Sequence, residues 1–189
     1  MESFIKDKRL LWLLFAGMVL AQWLVPGLMI KQKHEVAKKG TSYKFELAAI
    51  DPRDLFRGKF IILNPLENGF VSHDDKLSLN SSGFATFKRD SLGLAKIKTL
   101  TNQPPETEAY LKVRLMGTNT QDGIQQTLIA YPFDRFYMNE HKALKAEQLI
   151  SETISEGKKK SYAMVKILNG QYQVIDVMID DKSIVQLLY

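Results

Sequence analysis

The sequence predicts a mainly β protein of the α+β class that is carried on a single N-terminal transmembrane helix. Residues 10–30 form 21 consecutive positions without a charged side chain. The rest of the chain contains short apolar or alternating runs separated by Gly, Pro, Asn and Asp, which is the pattern of β-strands. Near the end, Asn169-Gly170 lies between β-rich flanks in the segment 162–179, which predicts a C-terminal hairpin with a type I′ turn.

The apolar segment 10–30 is long enough to cross a bilayer as a helix. At 1.5 Å per residue it reaches roughly 30 Å, the thickness of the hydrocarbon core. A cleaved signal peptide and a buried soluble helix are the alternatives. The segment exceeds the usual length of a signal h-region, and no small-residue cleavage site follows Met29 and Ile30. An uncleaved anchor is therefore favoured. Its polar Gln22 is either a tolerated amide or a hydrogen-bond partner for a neighbouring transmembrane helix.

The sequence therefore predicts four regions: an N-terminal tail at 1–9, the anchor at 10–30, a basic juxtamembrane stalk at 31–42 and a β-rich domain at 43–189. Cations flank the anchor on both sides, so the positive-inside count does not decide the orientation. A long following domain translocates largely regardless of its charge. We therefore expect the C-terminal domain outside the cytoplasm. The stalk is either solvated or bound to anionic lipid headgroups.

The composition excludes several kinds of site. The chain has no cysteine, which excludes disulfides and thiol chemistry. Its net charge of +5 comes without an arginine-rich stripe or an RNA-type aromatic motif, so we expect no nucleic-acid partner. The three histidines, His34, His73 and His141, lack metal-ligand spacing. No nucleophile elbow, P-loop or dinucleotide fingerprint is present, and we expect no cofactor, no metal and no catalytic residue.

The domain is predicted to be built mostly from short strands. The segment 109–116 shows the pattern best, because Lys112 and Arg114 alternate with Leu111 and Val113 as in a half-buried strand. A polar, turn-rich stretch at 66–82 predicts a loop. The predicted strands before the C-terminal hairpin are 43–50, 59–63, 84–88, 92–100, 109–116, 124–133 and 134–138.

One helix is expected in the domain, over residues 140–155. Asn139 is a suitable N-cap, the segment contains no Gly or Pro, and Gly157 is placed to end it. Apolar residues recur at helical spacing, at Ala143, Ala146, Ile150 and Ile154. This pattern predicts a helix that packs with one face on the sheet.

Two dense clusters of charged residues are the candidate structural or partner-contact sites. Arginine side chains bind carboxylates through two parallel hydrogen bonds. The clusters therefore either pair with each other and brace two distant segments, or contact an anionic ligand or a partner protein. The candidate residues are Asp51, Arg53, Asp54, Arg57 and Gly58 in the first cluster, and Asp134 and Arg135 in the second.

Several features appear in a characteristic order along the chain. They are Gln22 and P-G-L-M-I in the anchor, Gly40-Thr41 after the basic stalk, D-P-R-D-L-F-R-G at 51–58, D-R-F-Y-M-N-E at 134–140 and V-I-D-V-M-I-D-D-K-S-I at 174–184. This order resembles the GDYXXLXY family of membrane-anchored bacterial proteins over nearly the whole chain. The eight-residue string at 51–58 is the most specific of these features.

The motif that names this family is altered in the present chain. Gly58 and Leu63 match it, but Lys59, Phe60 and Pro65 replace its Asp, its first Tyr and its final Tyr. Phenylalanine fills the same apolar volume as tyrosine, so the changes suit a structural motif better than a catalytic one. The resemblance implies association with a membrane and with a multi-spanning partner protein, and it implies no particular reaction.

The function predicted from the sequence is that of a membrane-anchored, non-enzymatic β domain. It would act as a protein-interaction or assembly module of the bacterial cell envelope, in the inner (cytoplasmic) membrane, with the lipid bilayer and a multi-spanning membrane protein as partners. One alternative is a membrane-tethered hydrolase of the signal-peptidase type, for which Ser42 and Lys44 are the candidate pair. The other is an envelope sensor for a small ligand, which requires a pocket.

Overall fold

A computed structural model describes residues 8–48, 60–71, 81–121, 124–155 and 160–188. Over these residues the chain is β-rich and begins with a long apolar helix, which confirms the predicted fold class. The helices are α1 (Lys8–Lys39), α2 (Glu140–Ser155) and α3 (Ile184–Leu187). The strands are β1 (Thr41–Glu46), β2 (Phe60–Ile62), β3 (Gly69–Phe70), β4 (Ser82–Arg89), β5 (Ala95–Thr101), β6 (Tyr110–Gln121), β7 (Ile124–Ala130), β8 (Arg135–Tyr137), β9 (Ser161–Leu168), β10 (Gln171–Ile179) and β11 (Lys182–Ser183).

The strands form two larger antiparallel sheets and one separate pair. The first sheet has the order β1-β9-β10-β11, the second has the order β3-β7-β6-β4-β5, and β2 pairs with β8. Single bridges join the two larger sheets: Lys44 pairs with Leu94, and Leu111 pairs with Gly170. The N-terminal and C-terminal strands therefore share one sheet, while the middle of the chain forms the other.

Both larger sheets contribute to one hydrophobic core. Strand β6 shows how the sequence builds it, because Leu111, Val113 and Leu115 are buried while Lys112 and Arg114 are exposed. This confirms the predicted half-buried strand. Fully buried side chains from five strands meet in the core: Phe45, Ile61, Leu111, Leu115, Val165, Ile167 and Val177.

Phe45 lies at the centre of an aromatic cluster inside this core. Its ring centroid lies 5.1 Å from that of Phe87, 5.4 Å from that of Tyr131 and 5.0 Å from that of Phe133. The Phe133 ring in turn lies 5.8 Å from the ring of Tyr172 at the start of β10. Edge-to-face pairs at these distances are favourable beyond their buried area. The cluster therefore joins β1 to β4, to the segment after β7 and to β10.

Helix α2 has the predicted bounds and packs as expected. It begins directly after Asn139, whose carbonyl accepts hydrogen bonds from the amides of Lys142 and Ala143 at 2.9 Å. Ala143, Ala146 and Ile150 are buried, and the helix packs against β2 and β9. The side chain of Ile154 and the predicted terminator at position 157 lie outside the described residues.

The predicted C-terminal hairpin is also confirmed. Asn169 and Gly170 have φ angles of +46° and +78°, as a type I′ turn requires. The turn is fastened to the second sheet, because the Gly170 amide donates to the Tyr110 carbonyl at 3.0 Å. A Cβ atom at position 170 would lie 2.9 Å from the Tyr110 ring.

Gly170→Ala is expected to lower the free energy of unfolding of the domain by about 2 kcal/mol, because alanine is strained at positive φ and its methyl group meets Tyr110. Chemical denaturation of the full-length protein in detergent, followed by far-UV circular dichroism, measures this change. Gly117→Ala is the matched control, because no atom lies within 4 Å of a Cβ atom at that position. An equal decrease in the free energy of unfolding of both variants would contradict the close packing and positive φ assigned to Gly170.

Helix α1 is a single helix that extends beyond the apolar segment. Its 32 residues correspond to about 48 Å. Within the described residues it is the one helix long and apolar enough to cross a membrane. Residues 31–39, the first part of the predicted stalk, form its last turns.

Candidate functional site

The last turns of α1 pack against the first sheet. Val36 is 1 % exposed, and it is the buried residue of the helix. The Lys33 ammonium donates to the backbone carbonyl of Tyr172 at 3.0 Å and lies 4.9 Å from the centroid of the Tyr172 ring. Burial and a cation–π contact therefore hold the helix against β10.

The connection from α1 to β1 is equally tight. The Gly40 amide donates to the Val36 carbonyl at 2.9 Å, which closes the helix. The Lys166 ammonium donates to the Ala37 carbonyl. A Cβ atom at position 40 would lie 2.5 Å from the Val36 carbonyl oxygen and 3.1 Å from the Lys166 Cβ atom. The helix is thus joined to the sheet through a close-packed junction rather than through a loose linker.

The contact at Lys33 identifies which end of the domain faces the apolar segment. Lys33 follows Ile30, the last residue of that segment, by three positions, or about 4.5 Å along the helix. Its partner Tyr172 donates from its hydroxyl to the Pro132 carbonyl at 2.6 Å. The end of the domain nearest the apolar segment therefore includes the β9–β10 turn and the chain around Pro132. We call it the anchor-facing end.

The second charged cluster lies beside this end. The Leu63 amide donates to the Asp134 carbonyl at 2.8 Å, and Ile62 pairs with Arg135. Burial raises the pKa of the Tyr172 phenol, and the nearby groups of Asp134 and Tyr137 raise it further. Strand β8 packs against β10. Asp134 and Arg135 are thus at the anchor-facing end.

The side chains of the β2–β8 pair form an exposed aromatic and cationic surface. The Phe60 and Tyr137 ring centroids lie 5.7 Å apart, and Tyr137 is 68 % exposed. The Arg135 guanidinium lies 4.8 Å from the Phe60 ring centroid, and its Nε atom lies 3.4 Å from Asp134 Oδ2. Because Arg135 pairs with the adjacent residue in sequence, this ion pair does not itself connect distant segments.

The first charged cluster lies outside the described residues, so the predicted pairing between the clusters stays a prediction. This applies to Asp51, Arg53, Asp54, Arg57 and Gly58. Their position along the chain is still informative. Phe60 follows Gly58 by two residues and pairs with Tyr137. The first cluster is therefore connected directly to the strand that contacts the second cluster.

Lys44, the candidate general base of the hydrolase alternative, forms an ion pair elsewhere. Its ammonium lies 2.7 Å from Asp181 Oδ1 and 3.3 Å from the Tyr162 hydroxyl. The hydrogen bonds to Asp181 and then Tyr162 raise the pKa of Lys44. A lysine that acts as a general base needs the opposite shift, because it must be neutral. The surroundings of Lys44 therefore disfavour a Ser42–Lys44 pair.

The Asp181 contact makes the stability of the domain dependent on pH in the acid range. Hydrogen bonds from Lys44 and Tyr162 lower the pKa of the Asp181 carboxyl below its ordinary value of 3.8. The contact therefore stabilises the fold fully above that value and is lost as the pH falls through the lowered pKa. Thermal unfolding measured between neutral and acid pH should show a smaller acid-range decrease in Tm for Asp181→Asn. An unchanged pH profile would contradict this prediction.

The described residues contain no group of three or more His, Cys, Asp or Glu side chains placed to hold a metal ion.

The contacts that define the anchor-facing end were not predicted from the sequence. Lys33 and Tyr172 are separated by 139 positions. No local sequence pattern predicts a contact between a lysine next to an apolar segment and a tyrosine after a hairpin turn.

Comparison with known proteins identifies a family. The model of the family described as GDYXXLXY protein matches residues 22–177, from the middle of the apolar segment to β10. No curated protein and no solved structure matches the chain significantly. The matched range includes the junction, both charged clusters and all strands from β1 to β9.

Proposed function

The chain belongs to the GDYXXLXY family, and from this premise we propose that it is a single-pass membrane protein whose β domain is a protein-interaction module at the membrane surface. The observation that carries this proposal is the packing of α1 on the first sheet, with Val36 buried and Lys33 bound to Tyr172. A helix of this length and hydropathy is suited to span the bilayer. A close-packed junction would then hold the anchor-facing end close to the headgroups.

The partner we propose is a membrane protein with several spans. The second charged cluster and the exposed Tyr137 lie at the anchor-facing end, where a membrane-embedded neighbour would meet them. Tyr and Arg, together with Trp, are enriched among the interface residues that contribute most of the binding energy. The proposed contact surface comprises Asp51, Arg53, Asp54, Arg57, Gly58, Asp134 and Arg135.

We further propose that the β domain lies on the outer side of the inner (cytoplasmic) membrane. The short cationic N-terminal tail supports retention of the N-terminus in the cytoplasm. A reporter enzyme that is active only outside the cytoplasm, fused after Tyr189, should be active in cells. Activity of a cytoplasm-specific reporter at the same position would overturn this orientation.

In-membrane photocrosslinking tests the interaction directly. A photoreactive amino acid at Tyr137 is expected to give a specific crosslink to a membrane protein, while the same amino acid at Lys182 gives none. Lys182 is the matched control because it is exposed and lies on β11, close to the β10–β11 turn and away from the anchor-facing end. A partner captured equally from both positions, or from neither, would overturn the proposal.

A further inference from the structure

The outer face of the second sheet contains a cationic cleft. The cleft has a volume of about 300 Å³ and opens between β4, β6 and the end of β7. Lys112 and Arg114 project from β6 on the face opposite to the buried Leu111 and Val113. The residues that line the cleft are Ser82, Lys112, Val113, Arg114, Ala130, Tyr131 and Pro132.

Among the described residues, nothing neutralises the two cations of the cleft. Within the described ranges, no carboxylate lies within ion-pair distance of Lys112 or Arg114, although other lysines of the domain, such as Lys44 and Lys160, have such partners. Two adjacent cations repel each other, so an unneutralised pair favours binding of an anion. An arginine fork and a lysine point charge side by side suit the oxygens of a phosphate group.

The cleft opens close to the anchor-facing end. Its lining residue Pro132 accepts the hydrogen bond from Tyr172, which in turn contacts Lys33. Strand β6 begins at Tyr110, which is bonded to the β9–β10 turn, and Lys112 follows two residues later, about 7 Å along the strand. Both cations are therefore within reach of the headgroup layer if α1 spans the bilayer.

We propose that this cleft binds the phosphate headgroup of an anionic phospholipid from the leaflet that the anchor-facing end meets. The inference rests on the proposed membrane function, since only an inserted α1 brings the cleft to the headgroups. It adds a lipid-binding site to the domain, separate from the contact surface proposed for a protein partner. The Lys112 and Arg114 side chains bind the phosphate, and their positive charges repel the cationic choline group of phosphatidylcholine.

Native mass spectrometry of the full-length protein tests the proposal. The protein is reconstituted into vesicles of phosphatidylglycerol and phosphatidylcholine in equal parts, extracted, and analysed for retained lipids. Each cation close to an anionic surface contributes about a fivefold factor, so we expect Lys112→Gln with Arg114→Gln to lower the ratio of bound phosphatidylglycerol to phosphatidylcholine about 25-fold. The control pair, Lys145→Gln with Lys182→Gln, removes the same charge from α2 and β11 and should leave the ratio unchanged.

The possible outcomes distinguish a failure of the lipid-binding site from a failure of the proposed membrane function. Excess inorganic phosphate should not displace the bound phosphatidylglycerol. If it does, the ligand of the cleft is free phosphate and not a lipid. An equal ratio in the two double variants would overturn the site itself, provided that both variants stay in the membrane after alkaline extraction. A wild-type chain that is washed out by alkali would contradict the proposed membrane function and this inference together.

Discussion

Val36→Asp is expected to release α1 from the first sheet while the β domain stays folded. Burial of one valine side chain contributes about 2 kcal/mol, and an unpaired carboxylate at the same position would add several kcal/mol of desolvation cost. Val36 lies outside the core cluster of the domain. The penalty therefore falls on the contact between the helix and the sheet.

Distances between spin labels measure this release. The chain has no cysteine, so labels attach only at introduced positions. Labels at Lys31→Cys on α1 and Gln171→Cys on β10 should give a narrow distance distribution in the otherwise unchanged protein and a broad one with Val36→Asp. Far-UV circular dichroism should show the same strand content in both.

His34→Asp is the matched control for this prediction. It introduces the same aspartate two residues away, at an exposed position of the same helix. The control should keep the narrow distribution. A narrow distribution in the Val36→Asp variant as well would mean that Val36 does not hold the junction together.

Removal of both arginines of the first cluster is expected to abolish capture of the membrane partner. Gly58 is connected through Lys59 to β2, which pairs with β8 at the anchor-facing end. Arg53→Ala with Arg57→Ala should therefore eliminate the crosslink from position 137 and leave chemical denaturation of the domain unchanged. Truncation of a hot-spot residue costs about 2 kcal/mol or more of binding, and arginine is enriched among such residues.

The alternative is that these two arginines form ion pairs inside the domain and brace two distant segments. The same double variant distinguishes this internal brace from a contact surface. Breaking a buried ion pair by removing one partner destabilises a protein by about 3–5 kcal/mol. A decrease of that size in the free energy of unfolding would contradict the contact surface and favour the brace. The control pair Lys145→Ala with Lys182→Ala should change neither the crosslink nor the stability.

Elements specified by local periodicity were predictable from the sequence. The alternation around Lys112, the Asn169-Gly170 pair and the spacing of Ala143 and Ala146 each determine a strand, a turn or a helix from neighbouring residues. The two-residue β3 was not predicted, because its segment is polar and rich in turn residues. Local patterns of this kind predict the secondary structure, but they do not predict which strands are neighbours in a sheet.

The candidate site depends on contacts that no local pattern encodes. The sequence singled out Asp134 and Arg135 by their unusual density of charge, but their position at the anchor-facing end depends on Tyr172 and Lys33. The cleft at Arg114 depends on the pairing of β6 with β4 and β7. These contacts arise only when the sheets assemble, so a motif search along the chain does not reveal them.

The depth of two single labels relative to the lipid tests the central claim most directly. A fluorophore at Gln171→Cys, at the anchor-facing end, and one at Lys182→Cys, close to the β10–β11 turn, are compared in vesicles that contain a headgroup-attached quencher. A domain held against the membrane by α1 predicts strong quenching at position 171 and little at position 182. Equal quenching at both positions would contradict it, because the domain would then tumble freely or lie apart from the bilayer.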